Sequence, residues 1–305
     1  MSKNMKNPRK SLTISAWINL LADDLIKQGK RRTSVTYRAT LKSFMDFNKG
    51  KEMKLKTLNA NTIQAYESYL FEKGLVPNSV SFYMRILRAA YNKAADQDLV
   101  PTQNLFKHVY TGVSKTTKRA IPLSDIKRIK SMRLKRHSPM AFARDMFMFS
   151  FYTRGMSFVD MAHLRKDSIR NGYLTYRRQK TGQLLQIKWE PCMAEIVQKY
   201  ETRSIYLLPI ITHRSQDSYC EYQSKLSVVN RQLKVIANRI GINTPLSMYV
   251  ARHSWATGAK EADVPISVIS DAMGHDSETT TRIYLASMST SRIDEANERV
   301  LKFIQ

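Results

Sequence analysis

Four consecutive stretches in the first hundred residues carry apolar side chains at helical spacing, separated by short turns, and this patterning leaves few folds open. From Leu12 to Ile26, Ile14, Trp17, Ile18, Leu21 and Leu25 fall on one face of a helix that Gln28-Gly29-Lys30 ends. Thr33 or Ser34 is placed to cap a second, whose apolar side is Val35, Tyr37, Leu41, Phe44, Met45 and Phe47. A third starts at Asn59-Ala60-Asn61 and runs through Ile63, Tyr66, Tyr69 and Leu70 to Gly74. A fourth follows the Pro77-Asn78-Ser79 turn and carries Val80, Tyr83, Ile86, Leu87, Ala90 and Tyr91. Amphipathic helices joined this tightly predict a small bundle.

The rest of the chain is patterned differently. Pro101 to Arg119 lacks sustained periodicity, which predicts a linker over 105–119 between a first domain, 1–104, and a second, 120–305. Ile121-Pro122-Leu123-Ser124-Asp125 opens the second domain, with Ser124 a candidate cap. Helical spacing resumes at Ala141–Tyr152 and Val159–Leu164. Between Tyr173 and Trp189, two β-rich runs flank Lys180-Thr181-Gly182, a hairpin signal. Helices follow at Met193–Tyr200, Lys225–Ile240, Ser247–Ala262 and Ile266–Met273. The predicted fold is mainly α with a small β-sheet: a helical bundle followed by a mixed α/β domain. A chain of 305 residues suits two domains, each burying its own core.

Charge narrows the partner. The chain has 50 Lys and Arg against 25 Asp and Glu, a net +25, and the excess runs through both halves. Such a balance points to a polyanion, with nucleic acid the default. Basic residues gather at Lys30, Arg31 and Arg32, at Arg85, Arg88 and Lys93, and at Lys115, Lys118 and Arg119. Charge runs are most often solvated helix faces; the overall charge makes phosphate contacts the expectation here. Cys192 and Cys220 have neither metal-type spacing nor a framework of pairs, as in a reduced intracellular protein. The longest apolar run, Met146–Tyr152, is too short to span a bilayer, and Met1 to Lys10 is polar and basic. The expected location is the cytoplasm, on the nucleoid, with no membrane partner.

The chemistry concentrates near the C-terminus. Arg252-His253-Ser254-Trp255-Ala256-Thr257 is followed by Met273-Gly274-His275 and then by Thr279-Thr280-Thr281-Arg282-Ile283-Tyr284. An arginine, a histidine and a tyrosine in this order suit attack of a phenolic oxygen on a phosphodiester. Arg252 would hold the non-bridging oxygens as charge builds, His275 would hydrogen-bond one of them or help position the tyrosine, and Tyr284 would form the covalent bond. A guanidinium fork clamps phosphate better than an ammonium does. His253, about 100° around the helix from Arg252, reads as packing. Side-chain cations would neutralise the phosphate, so neither metal nor nucleotide cofactor is expected.

At these residues the chain resembles the tyrosine recombinase, or phage integrase, family, in which R-H-S-x-A-T, L-G-H and T-x-x-Y elements recur in this order and spacing. The arrangement around Arg154 further resembles the integrase-like recombinases of Bacteroides-type bacteria. The resemblance implies a SAM-like core-binding domain in front of the catalytic one, together closing as a clamp on double-stranded DNA. It also implies that Lys180, at the hairpin tip, protonates the departing 5′-oxygen. Two positions depart from the family pattern. Tyr249 stands where histidine is common, and it can donate one hydrogen bond but carries no charge near neutral pH. The G-L-R-x-x-E-L element aligns on Gly155-Met156-Ser157-Phe158-Val159-Asp160-Met161, which puts Ser157 in place of the first arginine. Arg154, one turn earlier, is the preferred substitute and Ser157 the alternative, with Asp160 matching the acidic residue that buttresses the site.

Ser291–Gln305 carries Ile293, Ala296, Val300, Leu301 and Ile304 at helical spacing, an exchange helix if the resemblance holds and a self-packed one otherwise. The expectation is a site-specific recombinase working through a 3′-phosphotyrosine and a Holliday junction. It would act as a tetramer on paired inverted-repeat sites, with an accessory DNA-bending protein as a further partner. Because the bundle begins close to Met1, a DNA invertase or compact integrase is favoured. A weakened DNA-binding protein of the same fold and a type IB topoisomerase-like strand transferase are the alternatives.

Overall fold

In the computed structural model, residues 12–114, 119–201, 203–212, 217–285 and 301 are described. They form two compact units that divide between Thr116 and Thr117. The first holds four helices: α1 (Ile14–Lys27), α2 (Arg31–Phe47), α3 (Ala60–Glu72) and α4 (Pro77–Ala95). The expected apolar faces meet in one core around Trp17, Ile18, Phe44, Ile63, Tyr66 and Leu70. Thr13 and Asn59 cap α1 and α3 through their side chains, and Pro77 opens α4 at the position where its missing N–H is harmless.

Two expectations about this unit change. α2 starts at Arg31, with Lys30 at the cap, rather than after Thr33 or Ser34. The helix therefore turns Ser34 into the interior and leaves Val35 about half exposed. The 105–119 segment is also less of a linker than its lack of periodicity implied. Leu105, Phe106 and Val109 are buried in the bundle core, and Asn78 and Ser81 bind the backbone of Ser114 and Gly112. Three apolar residues in five positions form one patch, too short to register as a period.

The second unit surrounds α6 (Pro139–Tyr152), which is buried on nearly every side and packs against α5 (Leu123–Ser131), α8 (Pro191–Lys199), α9 (Ser218–Arg239) and α10 (Met248–Glu261). Ser138 caps α6. Pro122, not Ser124, precedes α5, and α9 begins seven residues before its expected start because Asp217 caps it. A short α7 (Phe158–His163) leads to an antiparallel sheet of β1 (Ile169–Arg170), β2 (Tyr173–Arg177) and β3 (Leu184–Lys188). The β2–β3 hairpin pairs Tyr173 with Lys188 and Arg177 with Leu184; β1 was not foreseen. Two helices close the described chain, α11 (Ile266–Met273) and α12 (Glu278–Tyr284). The expected C-terminal helix lies outside the described residues, Leu301 apart. Among the described residues no helix is long and apolar enough to cross a membrane.

Candidate active site

Arg252 lies on α10 and is only 6% exposed. A charge this deep needs partners, and backbone supplies them. α6 ends in two consecutive left-handed residues, Arg154 (φ 60°) and Gly155 (φ 74°). A Cβ at Gly155 would stand 2.6 Å from the Arg252 Cα, so only glycine lets this turn lie against α10. The Gly155 carbonyl then accepts from Arg252 Nη1 at 2.9 Å.

The other side of the guanidinium meets the end of α11. Gly274, left-handed at φ 63°, caps that helix: its own N–H and that of His275 donate to Asp271 and Ser270. The Met273 carbonyl accepts from Arg252 Nη2 at 2.7 Å, and His275 Nε2 lies 3.0 Å from the same nitrogen. His275 is itself buried, and its Nδ1 is 2.7 Å from Oγ1 of Thr281 on α12. Burial first, then the charges of Arg252, Arg178 and Lys180, lower its pKa to about 4, so the imidazole is neutral near neutral pH.

The hairpin completes the cluster. Leu185 and Arg178 pack so closely on Gly274 that a Cβ there would meet Leu185 Cδ1 at 2.9 Å and Arg178 Cδ at 3.2 Å. Arg178 is buried, and its Nη1 donates to the Gly274 carbonyl, next to His275. Asp160, also buried, holds this end of the hairpin: Oδ1 accepts from the Gln179 N–H at 2.8 Å and Oδ2 from the Ser157 hydroxyl at 2.6 Å. Ser157 in turn caps α7 by accepting from the Asp160 N–H. Tyr176 stands where Asp160, Arg252, Arg178 and Arg154 all act on it, and burial followed by Asp160 raises its pKa, keeping the phenol protonated.

Arg252, His275, Arg178 and Asp160 are thus brought together by four separate segments, with Lys180 near enough to act on His275 although exposed at the hairpin tip. Tyr284 ends α12, one turn after Thr281; its side chain lies outside what is described. Arg154 is half-buried and turns its Nη1 to the Gln186 carbonyl of β3 at 3.3 Å, while Ser157 serves Asp160. Tyr249 is 56% exposed and stacks edge-on against His253 at 4.5 Å between ring centroids. In the first unit Lys30, Arg31, Arg32, Arg85 and Lys93 are exposed, whereas Arg88 is half-buried and reaches Thr111 Oγ1. Arg119 is exposed in the second; Lys115 and Lys118 lie outside the described residues.

Sequence reasoning passed over Arg178. A signal was present: two residues apart along the strand, Leu174, Tyr176 and Arg178 share the parity of the inward face, and Arg177 does not.

Residues 13–110 match the phage integrase SAM-like domain, and residues 133–290 match the phage integrase family. Over 93% of its length the chain is 21% identical to 91% of tyrosine recombinase XerC from Leptospira interrogans. Among solved structures it is similar to a lambda integrase (75-356) dimer bound to a COC′ core site, with a TM-score of 0.66, 17% identity, and 90% and 95% of the two chains covered. It is also similar to a lambda integrase tetramer bound to a Holliday junction, with a TM-score of 0.64, 16% identity, and 90% and 77% covered. The chain belongs to the phage integrase family, the tyrosine recombinases, enzymes that cleave and rejoin DNA in site-specific recombination.

Proposed function

We propose that Tyr284, giving up its phenolic proton to water, attacks the scissile phosphate, forming a P–O bond to the protein as the P–O bond to the 5′-oxygen breaks. A 3′-phosphotyrosine and a free 5′-hydroxyl result, and Lys180 gives the departing oxygen its proton. The energy of one phosphoester passes to the other, so rejoining is the same step in reverse and consumes no nucleotide. The observation that carries this reading is the buried Arg252 guanidinium, held by the protein itself on Gly155, Met273 and His275. Donors fixed in advance stabilise developing charge without reorganising at the moment of reaction.

For the second cation, the geometry favours Arg178 over Arg154. Arg178 is buried beside Gly274 and acts on His275, and among the described residues it forms no salt bridge with a carboxylate. Ser157 does not replace the arginine's charge; it steadies Asp160, which fixes the strand end carrying Arg178. Tyr249 would add one neutral hydrogen bond to the phosphate. The exposed basic residues Lys30, Arg31, Arg32, Arg85, Lys93 and Arg119 would meet the DNA backbone, and Lys115 and Lys118, which lie outside the described residues, are proposed to do the same.

At the level of the assembly, the proposal is a tetramer on two paired inverted-repeat sites, exchanging strands in turn through a Holliday junction. The lambda integrase tetramer supports this, as a protein of similar fold. DNA inversion or integration by a compact integrase, aided by a DNA-bending protein on the nucleoid, is the proposed role. The test is a nicked suicide substrate carrying the site, incubated in excess EDTA without nucleotide. The wild type should give a denaturant-resistant adduct and Tyr284→Phe none, with binding nearly intact. An adduct in Tyr284→Phe moves the nucleophile elsewhere.

A further inference from the structure

Thr281, the threonine of the T-x-x-Tyr284 element, has no part in the chemistry described so far, yet it is fully buried and touches the centre of the site. Its setting follows from donor and acceptor logic. A guanidinium has no lone pair to offer, so in the 3.0 Å contact Arg252 Nη2 donates and His275 Nε2 accepts. The imidazole is neutral, so its single proton sits on Nδ1. Nδ1 then donates to the Thr281 hydroxyl at 2.7 Å. A chain of two hydrogen bonds therefore runs from α12, through His275, to the guanidinium on α10.

We propose that Thr281 is a positioning residue: by accepting the Nδ1 proton it holds His275 in the tautomer that accepts from Arg252. Seating of the helix that ends in Tyr284 is thereby tied to alignment of the phosphate-holding arginine. With the proton on Nε2 instead, an N–H would face the Arg252 N–H at 3.0 Å and the two would repel. A protomer whose α12 is unseated would lose the tyrosine and, with it, the His275 contact that completes the alignment of Arg252, leaving the guanidinium on the Gly155 and Met273 carbonyls alone. The inference rests on the proposed roles of Tyr284 and Arg252, but the tautomer can be read without them.

Thr281→Val keeps the shape and removes the acceptor; Thr281→Ser keeps the acceptor and removes a methyl group. Nitrogen NMR of the labelled full-length protein, free of DNA, reads the His275 tautomer. Single-turnover adduct formation on the suicide substrate reads the consequence across pH, with Arg252, Arg178 and Lys180 the charged groups that face the imidazole. Thr281→Val should show mixed tautomers and slow adduct formation by on the order of ten- to a hundredfold, as loss of a partner that orients a functional histidine does. Binding should stay within about twofold, and Thr281→Ser should keep the Nδ1–H tautomer and most of the rate. A wild-type rate and tautomer in Thr281→Val overturn the proposal, as does a Thr281→Ser variant as slow as Thr281→Val. An adduct formed by Tyr284→Phe overturns the nucleophile assignment alone, and the tautomer of Thr281→Val still decides the role of Thr281.

Discussion

Gly74, at the end of α3 in the bundle, and Gly155, at the end of α6 beside Arg252, have nearly the same backbone conformation, at φ 77° and 74°. Their surroundings differ completely. A Cβ at Gly74 would meet nothing within 4 Å, whereas one at Gly155 would collide with the backbone of α10. In the bundle, glycine only reverses the chain. In the catalytic unit it brings a carbonyl to a buried guanidinium. The contrast extends to the helices: α1 buries one face, the condition under which periodicity is clearest, while α6 is buried almost all round. The bundle is assembled by apolar faces that any well-packed set could replace; the site is assembled by backbone close approach and buried polar contacts that tolerate little change.

The largest effect that would test this contrast concerns the site's cations. Arg178→Met, which keeps the packing stem and deletes the charge, should slow adduct formation by on the order of a hundred- to a thousandfold, or about 3–4 kcal/mol of transition-state stabilisation. Arg154→Met should lose far less, and DNA binding in both should fall only modestly, because other basic residues hold the backbone. Single-turnover cleavage on the suicide substrate decides between them. Equal losses, or a larger one at Arg154, would return the role to the residue that the sequence favoured.

The glycine pair comes next. Gly155→Ala should destabilise α10 by roughly 2–5 kcal/mol, from left-handed strain plus overpacking, and Gly74→Ala should destabilise the bundle by about 1–2 kcal/mol, from strain alone. Amide hydrogen exchange, followed on peptides from α10 and α3, separates the two units. Comparable losses would mean that the α6–α7 turn can move away from Arg252 cheaply.

A further effect is a pH dependence that His275 gives the catalytic unit. The folded pKa of His275, about 4, lies below its unfolded value of 6.5. Between these values the unfolded chain binds a proton that the folded one excludes, so stability is full above pH 6.5 and falls as pH drops towards 4. At pH 5 the loss should be about 2 kcal/mol relative to pH 8. Exchange protection of α10 and α11 should track this, and in His275→Asn that contribution should vanish. A persistent slope in His275→Asn would assign it to another group.

Much of this was legible before folding because it depends on local rules. Ile14, Trp17, Ile18, Leu21 and Leu25 announce α1 by spacing alone, and Lys180-Thr181-Gly182 announces a hairpin by turn chemistry. Lys30 as the cap of α2 was missed because a side-chain cap was expected where none is used. Leu105, Phe106 and Val109 were missed because tertiary burial needs no period.

The amino-acid order by itself determined the one-sided helices, the basic character and the sequence of Arg252, His275 and Tyr284, since each is a property of composition or of residues close along the chain. Only the tertiary structure decided which guanidinium is buried against Gly274, next to His275. Arg154 and Arg178 lie 24 positions apart and are chemically identical, and strand parity alone turns Arg178 inward without saying what it meets there. What separates them is that Arg154 follows the end of α6 and turns to β3, while Arg178 lies on the inward face of a hairpin pressed against Gly274. Electrostatic strength depends on distance and on exclusion of water, and both are set by packing between segments far apart in the chain.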